Sequence, residues 1–578
     1  MRLRRTGAAA LVVAFAALAA PASAFAHAAL LRTSPQASVT VNHPPKQVAM
    51  TFSEAVEPRF ATVSVTDPQA NQVTSGHPAR SEADPDTLVT PLKPDLPQGW
   101  YLVYWRVISA DGHPVKGAFT FAIGPNPGPI PQFVIPSLTE SAATPGLLVA
   151  RWVMFLSAMC AVGLLLLRLF VVREIPRRVP SASLRSIEIT FGVSMLVALI
   201  ATPIYDVMST AKFAQASAFD LGTVVPLLTT SHFGKSLVYL EIVLALLALA
   251  GGIAIWLDTP DRVQRTIAAL LAVIGAVAAA ASALFIPGLA GHAAQTDPRW
   301  LSLSLDWIHL LSGSFWIGGL VGLLVLGWRL GGLKVPALTI AVPRFSKLAF
   351  VSVIVLVASG IGSALQHFPT LGSLYDTSYG KALILKLIFL AGTIAIAAVN
   401  FSRTAPRFVR AASGEAGAGS SAASLLRVLV SGEVLLVAGA FFGAALLTSL
   451  APPPKALASL GTVNAHVGTG GDATVKKSGY ELHFHFTPNR AAVPNTFAVK
   501  ITKDGKPVRG ADVTAKFTML DMEMQQQAYN LPERSPGAYA RANTPALVMV
   551  GRWGVGFDIR PPGATTPLDV LLLDHAVG

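Results

Sequence analysis

The sequence predicts a multidomain membrane protein: an N-terminal β-sandwich, an eight-helix transmembrane α-bundle and a small C-terminal β-sandwich. Three observations predict it. Of 578 residues, 52% are hydrophobic and only 13% charged, a balance that excludes an ordinary water-soluble enzyme. Between residues 148 and 450 the chain passes through eight apolar stretches, each long enough to cross a bilayer. On either side lie polar regions whose short alternating runs are separated by turn signals.

Residues 1–26 open with Arg2, Arg4 and Arg5, continue through "GAAALVVAFAALAA" and end in small residues, the pattern of a secretory signal peptide. Cleavage after Ala24 (A-S-A) and after Ala26 (A-F-A) both fit that pattern. Residues 27–125 carry the strand-like runs "VAMTFS", "ATVSVT", "WYLVYWRVIS" and "GAFTFAI", a spacing that suggests a sandwich. The segment "GPNPGPIPQ" closes this domain, and residues 126–147 read as a Pro/Gly-rich linker.

The apolar spans fall near 148–172, 188–208, 233–257, 266–288, 303–328, 347–366, 381–401 and 426–450. Alternate loops hold Arg173, Arg177, Arg178, Arg185, Arg262, Arg265, Arg329, Arg344, Arg403, Arg407 and Arg410, whereas the other set holds little beyond Lys212, Lys235, Arg299 and Lys381. The arginine-rich set is therefore expected on the cytoplasmic side of a bacterial inner membrane. The signal peptide and the even span count both put the two flanking domains outside. Residues 411–424, "AASGEAGAGSSAAS", read as a flexible cytoplasmic loop. Residues 459–578, with "YELHFHF", "TFAVKIT" and "RWGVGFDIR", read as the second small sandwich.

The net charge of +13 invites a nucleic-acid reading, but the positive residues lie in short loops between apolar spans, so no nucleic-acid partner is expected. There is one cysteine, Cys160, so neither a disulfide framework nor a thiolate cluster is available. No P-loop and no Ser/His/Asp set beside a nucleophile elbow stands out, and the chain is expected not to be an enzyme.

Histidines, carboxylates and methionines carry the remaining chemistry. In "SADGHPVKG", Asp111 and His113 fall on one face of an extended segment. If cleavage follows Ala26, His27 adds an imidazole and a free α-amine, and an N/O set of that kind suits Cu(II). Four membrane-domain histidines, His232, His292, His309 and His367, fall at the outer ends of their spans, level with Tyr205, Asp206 and Asp306. Buried ionisable groups near lipid should face a cavity or one another, so these read as a ring that receives metal, or as anchors of helix ends. Lys381, Lys386 and Glu433 read as pathway residues or structural ion pairs, and Met154, Met159 and Cys160 as packing or as soft ligands on a path. In the last domain His483 and His485 share a strand face, and "TMLDMEM" supplies Met519, Met522 and Met524, a weak candidate for Cu(I).

Residues 27–125 resemble the CopC family of periplasmic copper-binding sandwiches, through the histidine followed by "AALLRTSP", the segment "FSEAVEP" and "GWYLVYWRVISADGHPVKGAFTFAIG". The resemblance implies that His27, Asp111 and His113 ligate Cu(II), with Glu54 as a supporting carboxylate, and it favours the cut that exposes His27. Only Met50 lies in this domain, so a Met-rich Cu(I) site is not expected there. The segments "LAGHAAQTD", "DWIHLLSGSFWIGGL" and "YGKALILKLIFLAGTIAIAAVNFSR" resemble the CopD membrane family, and the last domain loosely resembles YtkA-like sandwiches. The expected function is capture of Cu(II) outside the membrane and passage of copper to or through the bundle, for import, homeostasis or resistance. Copper ions, the lipid bilayer and periplasmic copper chaperones are the expected partners. Two alternatives stand beside it: a haem-b electron-transfer protein using the transmembrane histidines, and a copper buffer or sensor without transport.

Overall fold

Alternation along the strands builds the first domain. The structure is a computed structural model that describes residues 28, 30–108, 114–128, 131, 133, 144–214, 216–230, 232–296, 298–413, 415, 417–450, 452–453, 463–520, 526–564 and 566–577. Strands β1 (Leu30–Ser34), β3 (Gln47–Phe52), β6 (Thr87–Pro91) and β5 (Ala79–Arg80) form one sheet in that order. The second runs β2 (Thr40–Val41), β8 (Pro114–Ile123), β7 (Gly99–Ile108), β4 (Thr62–Thr66). In β3 Val48, Met50 and Phe52 are buried and the residues between them are not, the period-two pattern of a strand with one covered face.

β7 departs from that pattern, being buried from Trp100 to Ile108. Tyr101, Val103, Trp105 and Val107 enter the core between the sheets. Trp100, Leu102 and Tyr104 face the other way and join Ala492 of the C-terminal domain in a second cluster. A strand covered on both faces reads as a continuous apolar run, which is why "WYLVYW" does not alternate.

Among the described residues, eight helices are long and apolar enough to cross a membrane. They are α1 (Pro145–Leu166), α2 (Arg185–Ala214), α3 (His232–Leu257), α4 (Ile267–Ala290), α5 (Arg299–Arg329), α6 (Lys334–His367), α7 (Ser378–Val399) and α8 (Ala418–Leu447). Small residues set the closest crossing. Gly163 of α1 lies against Ser314 and Gly318 of α5 so tightly that a Cβ at either glycine would overlap the opposing backbone. Gly319 and Gly313 of α5 make room in turn for Phe345 and Met159.

One end of the bundle is tied by arginines. Buried Asp258 accepts from Arg173 Nε at 2.8 Å, Arg265 Nε at 2.9 Å and Arg168 Nη1 at 3.2 Å. The β domains sit at the other end. Arg106 of β7 donates to the carbonyl of Phe213 near the end of α2, and Phe60 and Ile108 join the apolar core of the bundle.

The C-terminal domain stacks two more sheets. One is β10 (Asp472–Lys477), β11 (Tyr480–Thr487), β12 (Asn495–Lys503), β17 (Ala538–Thr544) and β16 (Glu533–Ser535), with β13 (Lys506–Pro507) beside β12. The other is β15 (Gln527–Asn530), β14 (Asp512–Met519), β18 (Gly551–Arg560), β19 (Leu568–Ala576) and β9 (Val463–His466). Phe484, Phe486, Phe497, Phe517 and Phe557 fill the space between them. Val548 accepts a backbone hydrogen bond from Ala118 of β8 at 3.0 Å. Arg552 reaches the bundle, donating to Asp376 O and to Ser378 Oγ, each at 2.9 Å, at the start of α7. The first domain is thus held between the bundle and the last domain.

Candidate functional site

A cavity of about 260 Å³ opens within the bundle, at the end that carries the β domains. His292, His309, His367 and Asp306 all line it. Asp306 and His309 stand seven and ten residues into α5, about 10 and 15 Å along its axis from Arg299. Three positions apart, they share one face of the helix. Glycines make the space around them. A Cβ on Gly288 of α4 would come within 2.9 Å of Asp306 Oδ2, and one on Gly360 of α6 within 3.2 Å of His309 Cε1.

Each imidazole is fixed by its own partner. His309 Nδ1 lies 3.0 Å from the carbonyl oxygen of Leu356 and 3.2 Å from Ser359 Oγ. His367 Nδ1 donates to Ser363 O at 2.7 Å, and its ring stacks on Tyr379 at 6.3 Å. His292 Nε2 donates to Leu450 O at 3.2 Å. These separate anchors hold the rings apart. Among the described residues no three His, Cys, Asp or Glu side chains converge closely enough to hold one metal ion. The expected ring is therefore a series of imidazoles around a cavity.

Three further groups line the cavity. Lys386 of α7 places Nζ 3.3 Å from His309 Nε2. Arg151 of α1 donates through Nε to Tyr205 Oη at 2.9 Å and through Nη1 to Ser449 Oγ at 2.6 Å, joining α1, α2 and the segment after α8. Met154 is the soft donor, and lies at the cavity wall. Met159 and Cys160 instead lie in the bundle core. Asp206 is buried on α2 and Glu433 accepts from Asn400 at 3.1 Å, and neither lines the cavity. Lys381 is exposed and does not line the cavity.

The proposed Cu(II) ligands His27, Asp111 and His113 lie outside the described residues, as do Met522 and Met524. The flanks of that site are described. Ala28 is buried in the first domain's core, Leu30 pairs with Phe52, and Glu54 follows in a partly buried turn. Ile108 and Pro114 close the β7–β8 register, and Ile108 packs into the bundle core. The end of β7 that precedes Asp111 and His113 therefore lies against the membrane domain. His232 is the first residue of α3, and its side chain lies outside the description.

In the C-terminal domain His483 and His485 point outward from β11, as the alternation implies. His485 Nδ1 is 2.7 Å from Asp472 Oδ1, and His483 Nδ1 is 3.1 Å from Thr474 Oγ1. Met519 is buried in the core between the sheets, so it does not meet those histidines.

Two β domains docked at the end of eight apolar helices that enclose a cavity lined by several polar side chains define a multi-pass membrane protein with extramembrane β domains. Family models give that class its chemistry: a CopC domain matches residues 30–124, a Copper resistance protein D-like N-terminal domain 141–302, Copper resistance protein D 340–447 and a YtkA-like domain 474–557. The chain belongs to the CopC/CopD family of copper resistance and transport proteins. It is similar to the copper transport protein CutJ of Bacillus subtilis, 25% identical over 545 residues, 93% of each chain. Its first domain is similar to protein YobA of Escherichia coli K12, 37% identical over 101 residues, covering 18% of this chain and 82% of YobA. Among solved structures it is similar to CopC from Methylosinus trichosporium OB3b, with 30% identity, 19% of this chain and 99% of that one covered, and a TM-score of 0.16.

Proposed function

We propose that this chain captures Cu(II) outside the membrane and passes copper into and through its helical bundle. His27, with its α-amine, Asp111 and His113 hold the Cu(II), and the Glu54 carboxylate supports them. The end of the bundle bearing the β domains faces outward and the arginine-rich end faces the cytoplasm, as the positive-inside rule requires. One observation carries the reading: His292, His309, His367 and Asp306, from three separate parts of the chain, line one cavity at the end where the β7–β8 hairpin docks. Polar groups buried in a bundle are costly and need a purpose or a partner. Soft and borderline donors around a cavity suit copper, and the chain is similar to Copper resistance protein D and to a copper transport protein.

The test has two arms. N-terminal sequencing of the mature protein followed by Cu(II) titration with EPR should find a chain beginning at His27 and a nitrogen-rich site that His113→Ala abolishes. Copper accumulation in cells should fall several-fold in His309→Ala with the amount of protein in the membrane unchanged. Unaltered accumulation in that variant would remove the cavity from the route, and a Soret band in the purified protein would replace transport with electron transfer.

A further inference from the structure

Lys386 is a cation lining a cavity whose proposed cargo is also a cation. Its position on His309 is specific. Leu356 O, 3.0 Å from His309 Nδ1, can only accept, so Nδ1 carries the ring proton. The hydroxyl of Ser359 donates to Val355 O at 2.7 Å, leaving Ser359 Oγ to accept from the same Nδ1. Nε2 is then the lone-pair nitrogen, and the Lys386 ammonium, which has no acceptor, donates to it at 3.3 Å. An imidazole with one nitrogen pinned by a backbone carbonyl and the other free of hydrogen is arranged as a metal ligand. Here an ammonium occupies the coordinating nitrogen.

The surroundings let that ammonium move. Gly443 of α8 brings its own backbone against Lys386, where a Cβ would come within 3.1 Å of the lysine Cα, so the backbone of Lys386 is held. Its four-carbon stem is flexible, and the residue lines the cavity, not the packed core. Asp306 stands on the His309 face of α5 and lines the same cavity as Lys386, so its carboxylate places a negative charge there. Arg151 offers no such exchange, because its guanidinium is engaged by Tyr205 and Ser449.

We propose that Lys386 is a resident cation: its ammonium holds the coordinating nitrogen of His309 until an incoming metal ion with high affinity for imidazole displaces it, with Asp306 as the common counter-ion. This rests on the reading of the cavity as the copper route. The exchange leaves the tethered ammonium in the cavity, so loading adds positive charge there beside Asp306. It also sets a threshold for entry. A cation that bonds weakly to imidazole, such as Na⁺ or K⁺, does not displace the ammonium, and one that bonds strongly does.

The full-length protein, purified in detergent, is titrated with Ag(I), a soft, redox-inert monovalent cation, in competition with a chromophoric chelator. Lys386→Leu should bind Ag(I) about ten- to hundredfold more tightly than the parent, the worth of one charge-assisted hydrogen bond. Lys386→Arg, which keeps a cation in place, should stay at parental affinity. The double variant His309→Ala/Lys386→Leu should fall to the level of His309→Ala alone, showing that the gain passes through Nε2. Lys386→Gln replaces the leucine variant if size-exclusion chromatography shows the latter misfolded. If neutral variants bind no more tightly, or if Lys386→Arg tightens equally, the resident-cation role is overturned while the cavity reading stands. If His309→Ala leaves both Ag(I) binding and copper accumulation unchanged, the cavity reading itself fails.

Discussion

Asp258 and Arg151 show how single charged side chains organise the two ends of the bundle. Burial pushes the Asp258 carboxyl up, but hydrogen bonds from Arg173 and Arg265 outweigh it and hold the group below its usual range. A carboxylate whose folded value lies beneath its unfolded one contributes stability that is complete above about pH 4 and is lost as pH falls through the folded value. Thermal melts in detergent should therefore show an extra loss of stability below about pH 4 that is missing in Asp258→Asn. Parallel melting curves for the two proteins would remove this network as the acid-labile element. Little of this was legible beforehand. Arg151 reads in the sequence as one charge near the start of an apolar span, and its partners Tyr205 and Ser449 lie 54 and 298 residues away. Lys386 is equally silent until His309, 77 residues away, is placed beside it. The three imidazoles were legible, because counting position along each span fixes depth. Their separate anchors were not, because those depend on helix rotation.

At the level of elements, periodicity predicted most of what is found and failed where a second surface intervenes. β3 and β11 alternate as their sequences do, since each has one covered face. β7 does not, because a further domain covers its other side, and nothing within ten residues announces that. Among helices, the crossing of α1 and α5 depends on atoms that are absent. Gly318→Leu would drive a side chain into the backbone of Gly163, for which no rotamer gives relief. Overpacking of this sort costs about 1–3 kcal/mol even where neighbours yield. Fluorescence-detected size exclusion should show most Gly318→Leu protein aggregated or absent, and Gly192→Leu, where the added Cβ meets nothing within 4 Å, should remain folded. Equal yields of the two would refute a backbone-limited crossing.

The whole molecule is a stack in which the first β domain is gripped from two sides, and the proposed copper ligands rest on the likeness of their segments to a family, since spacing alone leaves "DGH" an ordinary turn. The grip has a measurable hinge in Arg552, which ties β18 to the turn before α7. Arg552→Ala should raise amide hydrogen exchange at Ser373–Asp376 and along β7 while leaving exchange in α1 unchanged. Unaltered exchange in those segments would mean that the clamp depends on other contacts. The docked hairpin also bears on kinetics. On the proposed route donor and acceptor belong to one chain, so delivery is a first-order event. Short tethers hold joined partners at effective concentrations in the millimolar range. Transfer then proceeds at a rate set by local motion at the cavity mouth rather than by a search through the surrounding fluid, and a cell that makes few copies of the protein loses capacity without losing speed per copy.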